Sequence, residues 1–372
     1  MLRVDKVKFI HYTCWLIVLY DNQKIIYTIL FLVLTLAINW YILQRGVVKG
    51  IELTAKFGIP ALLVMGLLLS IVSLSIRGGK GLEGLLYIYT PDFSKIWDPH
   101  VWLEASGQIF FTLSLGMGAI ATYASYVKSK EDVLKAGLWT AGLNEFVEVV
   151  IGASIAIPAA FAMFGASAVP ELAKEGTFRL GFMSMPAVLM ALPLGSILSA
   201  VWFFLLFIAA LTSSLALIQP LISLFEDEMR WSHTKAVNVS MIMVVLGAFL
   251  SAYLPGFIDE LDFWAGTFML VFFALLEIII FVWIFGVNKF HNELTRDVFI
   301  RIPKAVVYFF AIVSPIFLVS LLYQWGVVKA PEVLSDTNTY VVIARLFIIA
   351  TLVLLAFVAI DSRRRYLSGP HL

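Results

Sequence analysis

The chain has 372 residues, of which 61% are hydrophobic and only 14% are charged. This apolar fraction exceeds that of soluble domains and is typical of integral membrane proteins. A formal net charge of +1 gives no indication of nucleic-acid binding, and a single cysteine excludes intrachain disulfides and thiolate metal clusters.

Nine apolar segments are long enough to cross a bilayer as helices, for which about 20 residues are needed. The sequence therefore predicts a single transmembrane domain over residues 24–372, preceded by an extracellular N-terminal remnant over residues 1–23. The nine segments are residues 24–43, 54–76, 101–126, 133–164, 193–225, 235–254, 261–286, 303–328 and 340–360.

Lysine and arginine are more frequent in one alternating set of connections, which includes residues 363–365. Cytoplasmic connections carry this excess, so we predict a cytoplasmic C-terminus and, with nine spans, an outer N-terminus. The basic residues Arg3, Lys6 and Lys8 do not follow the rule. This departure is the first indication that helices are missing upstream.

The third segment, residues 101–126, contains Ser114, Gly116 and Gly118 near its middle. Glycine costs about 1 kcal/mol relative to alanine in a helix interior. One interpretation is a helix broken within the membrane, where free backbone groups hold a substrate or an ion. The other is close packing against a neighbouring helix. The segment alone does not decide between them.

Polar residues are concentrated in the fourth segment, at Asn144, Glu145 and Glu148. Asn144 and Glu148 are four residues apart, so an α-helix would place them on one face. A carboxylate at membrane depth is costly unless it is paired or solvated, which favours a position along an ion path. The alternative is a carboxylate near the cytoplasmic end that reaches the interface.

The fifth segment carries three consecutive hydroxyls, Thr212, Ser213 and Ser214. Hydroxyl and carbonyl oxygens suit a hard monovalent cation. Hydrogen bonding of these hydroxyls back to their own helix is the alternative.

Acidic residues also stand at the ends of spans. Asp262 lies at the outer start of the seventh segment, where the helix dipole favours a carboxylate. Residues 226–228 end the fifth segment, where the dipole disfavours acidic groups and a cationic partner is expected. Neither group has an identifiable cationic partner in the sequence, and Glu277, within the seventh segment, has no assignable partner.

Five motifs, from about residue 24 to the C-terminus, resemble the neurotransmitter:sodium symporter family. They are GQIFFTLSLG at residues 107–116, TYASY at 122–126, LNE at 143–145, LTSS at 211–214 and LDFWAGT at 261–267. The resemblance implies an all-α polytopic membrane protein with the leucine-transporter type (LeuT-type) inverted-repeat fold. On the family plan of twelve helices, this chain resembles helices four to twelve, so the fold would be N-terminally incomplete.

The resemblance implies sodium-dependent symport of amino acids or related small amines by alternating access, and not an enzyme. Sodium ions would be the only cofactor, and the lipid bilayer of a prokaryotic-type inner membrane the setting. Because the family's first helix contributes to both sodium sites, we expect this chain alone not to transport. The alternative is a non-transporting fragment or scaffold. A homo-oligomer or a complementing chain that supplies the missing helices is therefore a possible partner.

The resemblance also implies roles for individual residues. The substrate pocket would be lined by Phe111, Thr112, Ser114, Met117, Ser213 and Leu217. One sodium site would use Thr112 and Asn144 together with the substrate carboxylate, and a second would use Ala209, Thr212 and Ser213. Met117 stands where a leucine-transporting member has phenylalanine, so the side-chain selectivity is expected to differ.

Four further residues resemble the family's gates. Asp262 would be the acidic half of the outer gate and Asp227 that of the inner gate, with Tyr126 and Gln219 near the inner gate. Glu148 matches the position where chloride-independent members carry a carboxylate in place of bound chloride. In the family, both gate arginines come from the first-helix region.

Overall fold

The computed structural model describes residues 22–76, 78–127, 132–169, 180–296 and 302–368. Every regular element in these ranges is helical, as the all-α prediction requires. The predicted N-terminal remnant therefore lies almost entirely outside the described residues.

Eight helices in the described ranges are long and apolar enough to cross a membrane. In lipid, every backbone N–H and C=O must be satisfied within the segment, and long apolar stretches achieve this as helices. The eight are Ile26–Gln44, Val47–Ser75, Val133–Phe164, Gly195–Asp227, His233–Tyr253, Phe257–Ile284, Lys304–Val327 and Thr339–Arg364. The ninth predicted segment, residues 101–126, is instead divided into two short helices.

The α-helices are numbered here in chain order. They are α1 (Asn22–Gln44), α2 (Leu53–Ser75), α3 (Lys80–Tyr89), α4 (Pro99–Thr112), α5 (Ala119–Ala124), α6 (Val133–Glu145), α7 (Ala156–Phe164), α8 (Met185–Met190), α9 (Gly195–Asp227), α10 (His233–Tyr253), α11 (Phe257–Leu261), α12 (Met269–Ile278), α13 (Val287–Leu294), α14 (Lys304–Ser335) and α15 (Thr339–Ser368).

Short helices of other types connect or extend these elements. The π-helical segments are Val47–Glu52, Phe146–Gly152, Leu180–Ser184, Asp262–Phe268 and Ile279–Ile284. The 3₁₀-helices are Phe93–Lys95 and Ala166–Ala168.

The chain forms two compact units. The first contains the described residues up to Phe93 together with Leu143–Leu215, and the second contains Ser94–Gly142 and the described residues from Ala216 onward. Both units take part of α9, because the boundary falls between Leu215 and Ala216.

The core of the first unit brings α2, α7 and α9 together. Leu69, Ala159 and Trp202 are buried in one cluster, and the Trp202 indole N–H donates a hydrogen bond to the Gly181 carbonyl at 2.8 Å. Close approach of α3 to α7 requires Gly84, since an added Cβ would lie 2.8 Å from the Cα of Pro158. The helix α3 is therefore packed directly on the fourth predicted span.

The core of the second unit lies between α12 and α14. Val271, Ala274, Leu318 and Trp325 are buried there, and Phe110 of α4 packs against the same cluster. The helix that precedes the break is thereby fixed against α12 and α14.

A buried ion pair fastens three helix ends of the second unit. The Arg345 guanidinium donates to Glu260 Oε1 at 2.5 Å, to the Val333 carbonyl at 2.6 Å and to the Asp336 carbonyl at 2.9 Å. These contacts join α11, the end of α14 and the start of α15. Glu260, two residues before Asp262, therefore has a cationic partner that could not be identified from the sequence.

Candidate functional site

The centre of the candidate site is the interruption between α4 and α5. The chain leaves α4 after Thr112, and Ser114, Gly116 and Gly118 have φ angles of 54°, 72° and 74°. This left-handed region is uncommon for residues that carry a Cβ atom, so Ser114 is a notable exception. The break predicted within the third segment is thus present.

Close packing, the other interpretation of the small residues, also holds at Gly116. An added Cβ there would lie 2.3 Å from the Leu270 carbonyl oxygen and 3.1 Å from the Ala274 nitrogen of α12. The Gly116 backbone N–H donates a hydrogen bond to the Glu277 carboxylate, also on α12. Glu277, for which the sequence offered no partner, therefore accepts a hydrogen bond from the backbone at the break.

The residues that follow α4 donate to the carbonyls at its C-terminal end, beginning with the Leu113 backbone N–H, which donates to the Ile109 carbonyl at 3.0 Å. The backbone N–H of Ser114 donates to the Phe111 carbonyl at 3.1 Å, and that of Leu115 donates to the Phe110 carbonyl at 2.9 Å. The last carbonyls of a helix lack intrahelical donors, and the helix dipole favours a positive charge beside them. This end of α4 is therefore suited to a cation or an ammonium group.

Met117 lines an apolar cavity of about 320 Å³ within the second unit. The other walls come from the helical stretch that begins with α11 and from α15, including Leu261, Met269 and Phe273. Phe111 is half exposed at the end of α4, and Leu217 is exposed on the part of α9 that belongs to the second unit. Among the described residues that line the cavity, Met117 is the one that was predicted for the substrate pocket, and the cavity can accommodate an apolar side chain.

The oxygen ligands predicted on α9 lie in the first unit. Thr212 Oγ1 donates to the carbonyls of Ile208 at 3.0 Å and Ala209 at 3.1 Å, while Ser213 is exposed. Back-bonding, the alternative interpretation of these hydroxyls, is therefore observed for Thr212. A hydroxyl that donates still has lone pairs to offer. The donor set of a hydroxyl beside a carbonyl fits sodium.

Asn144 and Glu148 also belong to the first unit and are partly buried. Asn144 is the penultimate residue of α6, and Glu148 lies in the π-helical segment Phe146–Gly152. The wider π turn alters the α-helical register on which a shared face was predicted. π-Helical turns occur frequently at functional sites. The Tyr89 hydroxyl donates to the Val149 carbonyl in this segment, which ties it to α3.

Two predicted gate carboxylates belong to the second unit. Asp262 is exposed at the start of the π-helical segment Asp262–Phe268, and its side chain folds back over Gly266, where an added Cβ would be 2.6 Å from Oδ1. Asp227 is the exposed last residue of α9.

Tyr126 and Gln219, both predicted near the inner gate, are brought together. The buried Gln219 amide nitrogen donates to the Tyr126 hydroxyl at 3.4 Å. The Gln219 amide oxygen and the buried Tyr123 hydroxyl have no hydrogen-bond partner among the described residues. In the first unit, one buried carboxylate oxygen of Glu145 also has no hydrogen-bond partner among the described residues.

The acidic cluster at the end of α9 has partners that sequence reasoning missed. Glu226 contacts His233 Nδ1 at 2.7 Å, and the Ser362 hydroxyl donates to Glu228. His233 is therefore the partner of Glu226 that was expected for this cluster but could not be identified from the sequence.

Comparisons with known proteins identify the relatives of this chain. The sequence profile of the sodium:neurotransmitter symporter family matches residues 21–366. An uncharacterized sodium-dependent transporter of Methanocaldococcus jannaschii is 31% identical over 324 residues, which cover 82% of this chain and 63% of the relative. A sodium-dependent nutrient amino acid transporter of Drosophila grimshawi is 24% identical over 71% of this chain and 42% of the relative.

A solved structure shows the same architecture. MhsT, crystallised in complex with L-phenylalanine, superposes with a TM-score of 0.68 at 29% identity, over 78% of this chain and 66% of MhsT. This likeness supports the predicted LeuT-type fold. The chain spans 63% or less of the length of the two sequence relatives.

Proposed function

Because the chain belongs to the sodium:neurotransmitter symporter family, we propose that it takes part in sodium-dependent symport of amino acids or related small amines by alternating access. The observation that carries the proposal is the interruption between α4 and α5, which places the C-terminal end of α4 beside apolar side chains such as Phe111. A substrate with an ammonium group and an apolar side chain matches both features.

The substrate pocket is proposed to be lined by Phe111, Thr112, Ser114, Met117, Ser213 and Leu217. The α4 carbonyls would accept hydrogen bonds from the substrate ammonium, and the side chain at position 117 would limit the size of the substrate side chain. The position of Met117 at an apolar cavity supports this role.

Sodium is proposed to bind at Thr112 and Asn144, and at Ala209, Thr212 and Ser213. The contact between the Thr212 hydroxyl and the Ala209 carbonyl supports the second site. Inward movement of sodium down its gradient would supply the free energy for substrate uptake.

The remaining roles follow the family resemblance. Glu148 would supply the negative charge that chloride supplies in other members, and Asp262 and Asp227 would close the outer and inner gates. The hydrogen bond between Tyr126 and Gln219 supports their assignment to one gate. The protein is proposed to lie in a prokaryotic-type inner membrane with its C-terminus in the cytoplasm.

We further propose that the chain corresponds to helices four to twelve of the family plan. A chain that supplies helices one to three, or a longer form of this protein, would then complete both sodium sites. The intact mass of the protein isolated from its native membrane tests this, because three further spans with loops would add roughly a hundred residues.

A second candidate function is a non-transporting scaffold that requires a partner chain. The buried polar atoms without a hydrogen-bond partner, on Tyr123, Gln219 and Glu145, favour an assembly in which other groups contact them. Buried polar groups are nearly always hydrogen-bonded, so we expect each of these atoms to be hydrogen-bonded in the complete assembly.

Uptake measurements separate the two candidates. Vesicles that contain the protein, with any chain that co-purifies with it, are loaded with potassium and given radiolabelled L-amino acids with external sodium or external potassium. A symporter accumulates label only with sodium outside. Equal uptake in both salts contradicts sodium coupling, and no uptake in either salt supports the scaffold.

A further inference from the structure

A buried hydrogen bond joins α1 to the hydroxyl-rich part of α9 within the first unit. Asn39 of α1 is 4% exposed, and its amide oxygen accepts a hydrogen bond from the Ser214 hydroxyl at 2.6 Å. The same hydroxyl also lies 2.8 Å from the Leu211 carbonyl of its own helix, so its one hydrogen is shared between the two acceptors. The Asn39 amide nitrogen donates to the Thr35 carbonyl at 3.0 Å. An amide in an apolar span is costly unless it is hydrogen-bonded. Both ends of this side chain are satisfied.

The bond to Asn39 restrains the rotation of α9 about its axis. Ser214 directly follows Ser213 and lies two residues after Thr212, so a fixed Ser214 side chain fixes the directions of both neighbouring hydroxyls. Neither Asn39 nor Ser214 belongs to the proposed ligand set.

A second contact holds the same part of α9 from α2. A Cβ added at Gly58 would lie 3.2 Å from Cγ2 of Ile208 and 3.6 Å from Cγ2 of Thr212. The backbone of α2 therefore lies against the methyl group of Thr212. With the methyl group held there, the Thr212 hydroxyl stays beside the carbonyls of Ile208 and Ala209.

We infer that Asn39 is a positioning residue for sodium binding: through Ser214, it holds the carbonyl and hydroxyl oxygens of Ala209, Thr212 and Ser213 in the arrangement that binds the ion. The inference rests on the proposed function. Binding groups must be held within roughly 0.5 Å of their productive positions. Removing a partner that orients a metal ligand typically weakens metal binding by about tenfold or more.

The experiment measures direct binding of radioactive sodium, which does not depend on knowing the substrate. The protein, with any chain that co-purifies with it from its native membrane, is reconstituted in lipid nanodiscs. The variants are Asn39→Leu, Ser214→Ala and the double variant. Each single variant is expected to raise the half-saturating sodium concentration about tenfold. Both changes remove the same hydrogen bond. The double variant should therefore bind sodium no more weakly than the single variant with the lower sodium affinity.

Ser70→Ala is the matched control. It removes a buried hydroxyl–hydroxyl bond of the same length, 2.6 Å between Ser70 and Ser154, in the same unit. Its thermal stability should fall as it does in Ser214→Ala, while its sodium affinity should equal that of the wild type. A purely structural role for Asn39 would make Ser214→Ala resemble this control.

The outcomes separate the inference from the proposed function. If the wild type binds sodium and Ser214→Ala binds it with the same affinity, the role of Asn39 is overturned, while the proposed function is retained. The role of Asn39 is also overturned if the double variant loses sodium affinity by the product of the two single-variant factors, because the two changes would then act independently. No saturable sodium binding by the wild type overturns the proposed function, and the inference with it. If Asn39→Leu does not fold, Ser214→Ala alone decides, because alanine is well tolerated in a helix.

Discussion

Gly116 shows how one backbone position can determine whether the break forms. It combines a φ of 72° with a hydrogen bond from its N–H to Glu277 and a close approach to the Leu270 carbonyl. Only glycine satisfies both the left-handed conformation and the lack of space. The residue therefore belongs equally to the break and to the packing of α12.

We predict that Gly116→Ala destabilises the protein severely. The new Cβ would lie 2.3 Å from the Leu270 oxygen, so α12 must move, and the left-handed conformation adds about 1–2 kcal/mol. Gly118→Ala is the control, because its φ of 74° is nearly the same but its nearest contact is Pro220 at 3.8 Å. Melting temperatures in detergent should show a much larger decrease for Gly116→Ala. Equal decreases would mean that the steric contact has no effect.

Met117 is the residue at which substrate selectivity should be easiest to change. Replacing it with phenylalanine puts a stiff ring in place of a flexible side chain at the cavity, so preference should shift among apolar amino acids by about tenfold. Competition of unlabelled amino acids with labelled uptake measures this ratio. Leu352→Phe adds a ring to the same cavity from α15, so a shift in Met117→Phe that is absent in Leu352→Phe would assign the effect to Met117 itself and not to the cavity volume. An unaltered profile in Met117→Phe would remove Met117 from the pocket.

At the scale of elements, α11, α14 and α15 depend on one side chain. Arg345 donates to the Glu260 carboxylate and to two helix-end carbonyls, and Glu260 also accepts from the Trp264 indole at 2.9 Å. The contacts sit two residues before the proposed gate residue Asp262. The ion pair therefore fixes the backbone beside Asp262, the proposed gate carboxylate.

We expect Arg345→Ala to cost about 3–5 kcal/mol, because it leaves the Glu260 carboxylate buried without its cation. Arg296→Ala is the matched control, since Arg296 and Glu293 form an exposed ion pair at 3.9 Å that is worth about 1 kcal/mol at most. The free energies of unfolding of the two variants are compared by denaturant titration in mixed micelles. Similar midpoints for the two variants would show that the buried pair is not needed.

At the scale of the whole molecule, the topology can be tested without knowing the substrate. Trp97 is 89% exposed before α4, and Arg364 is exposed near the end of α15. In a Cys14→Ser background, Trp97→Cys should react with a membrane-impermeant maleimide added outside cells. Arg364→Cys should react only after the membrane is opened. Labelling of Arg364→Cys in intact cells would contradict a cytoplasmic C-terminus.

Span positions were largely predictable because hydrophobicity along the chain is a local property. Eight of the nine predicted segments are covered by the long helices, and the ninth, residues 101–126, contains the break that its small residues indicated. The helix ends were less predictable. The α14 helix continues to Ser335, beyond the predicted end at 328, since the limit of an apolar run does not end a helix.

The sequence by itself determined the membrane class, the family and the residue types available for sodium and substrate. Only the tertiary structure decided which polar groups meet. Glu260 and Arg345 are 85 residues apart, and Asn39 and Ser214 are 175 apart. Such pairs depend on how distant helices pack, because a buried polar group is satisfied by whichever neighbour the packing brings within hydrogen-bonding distance.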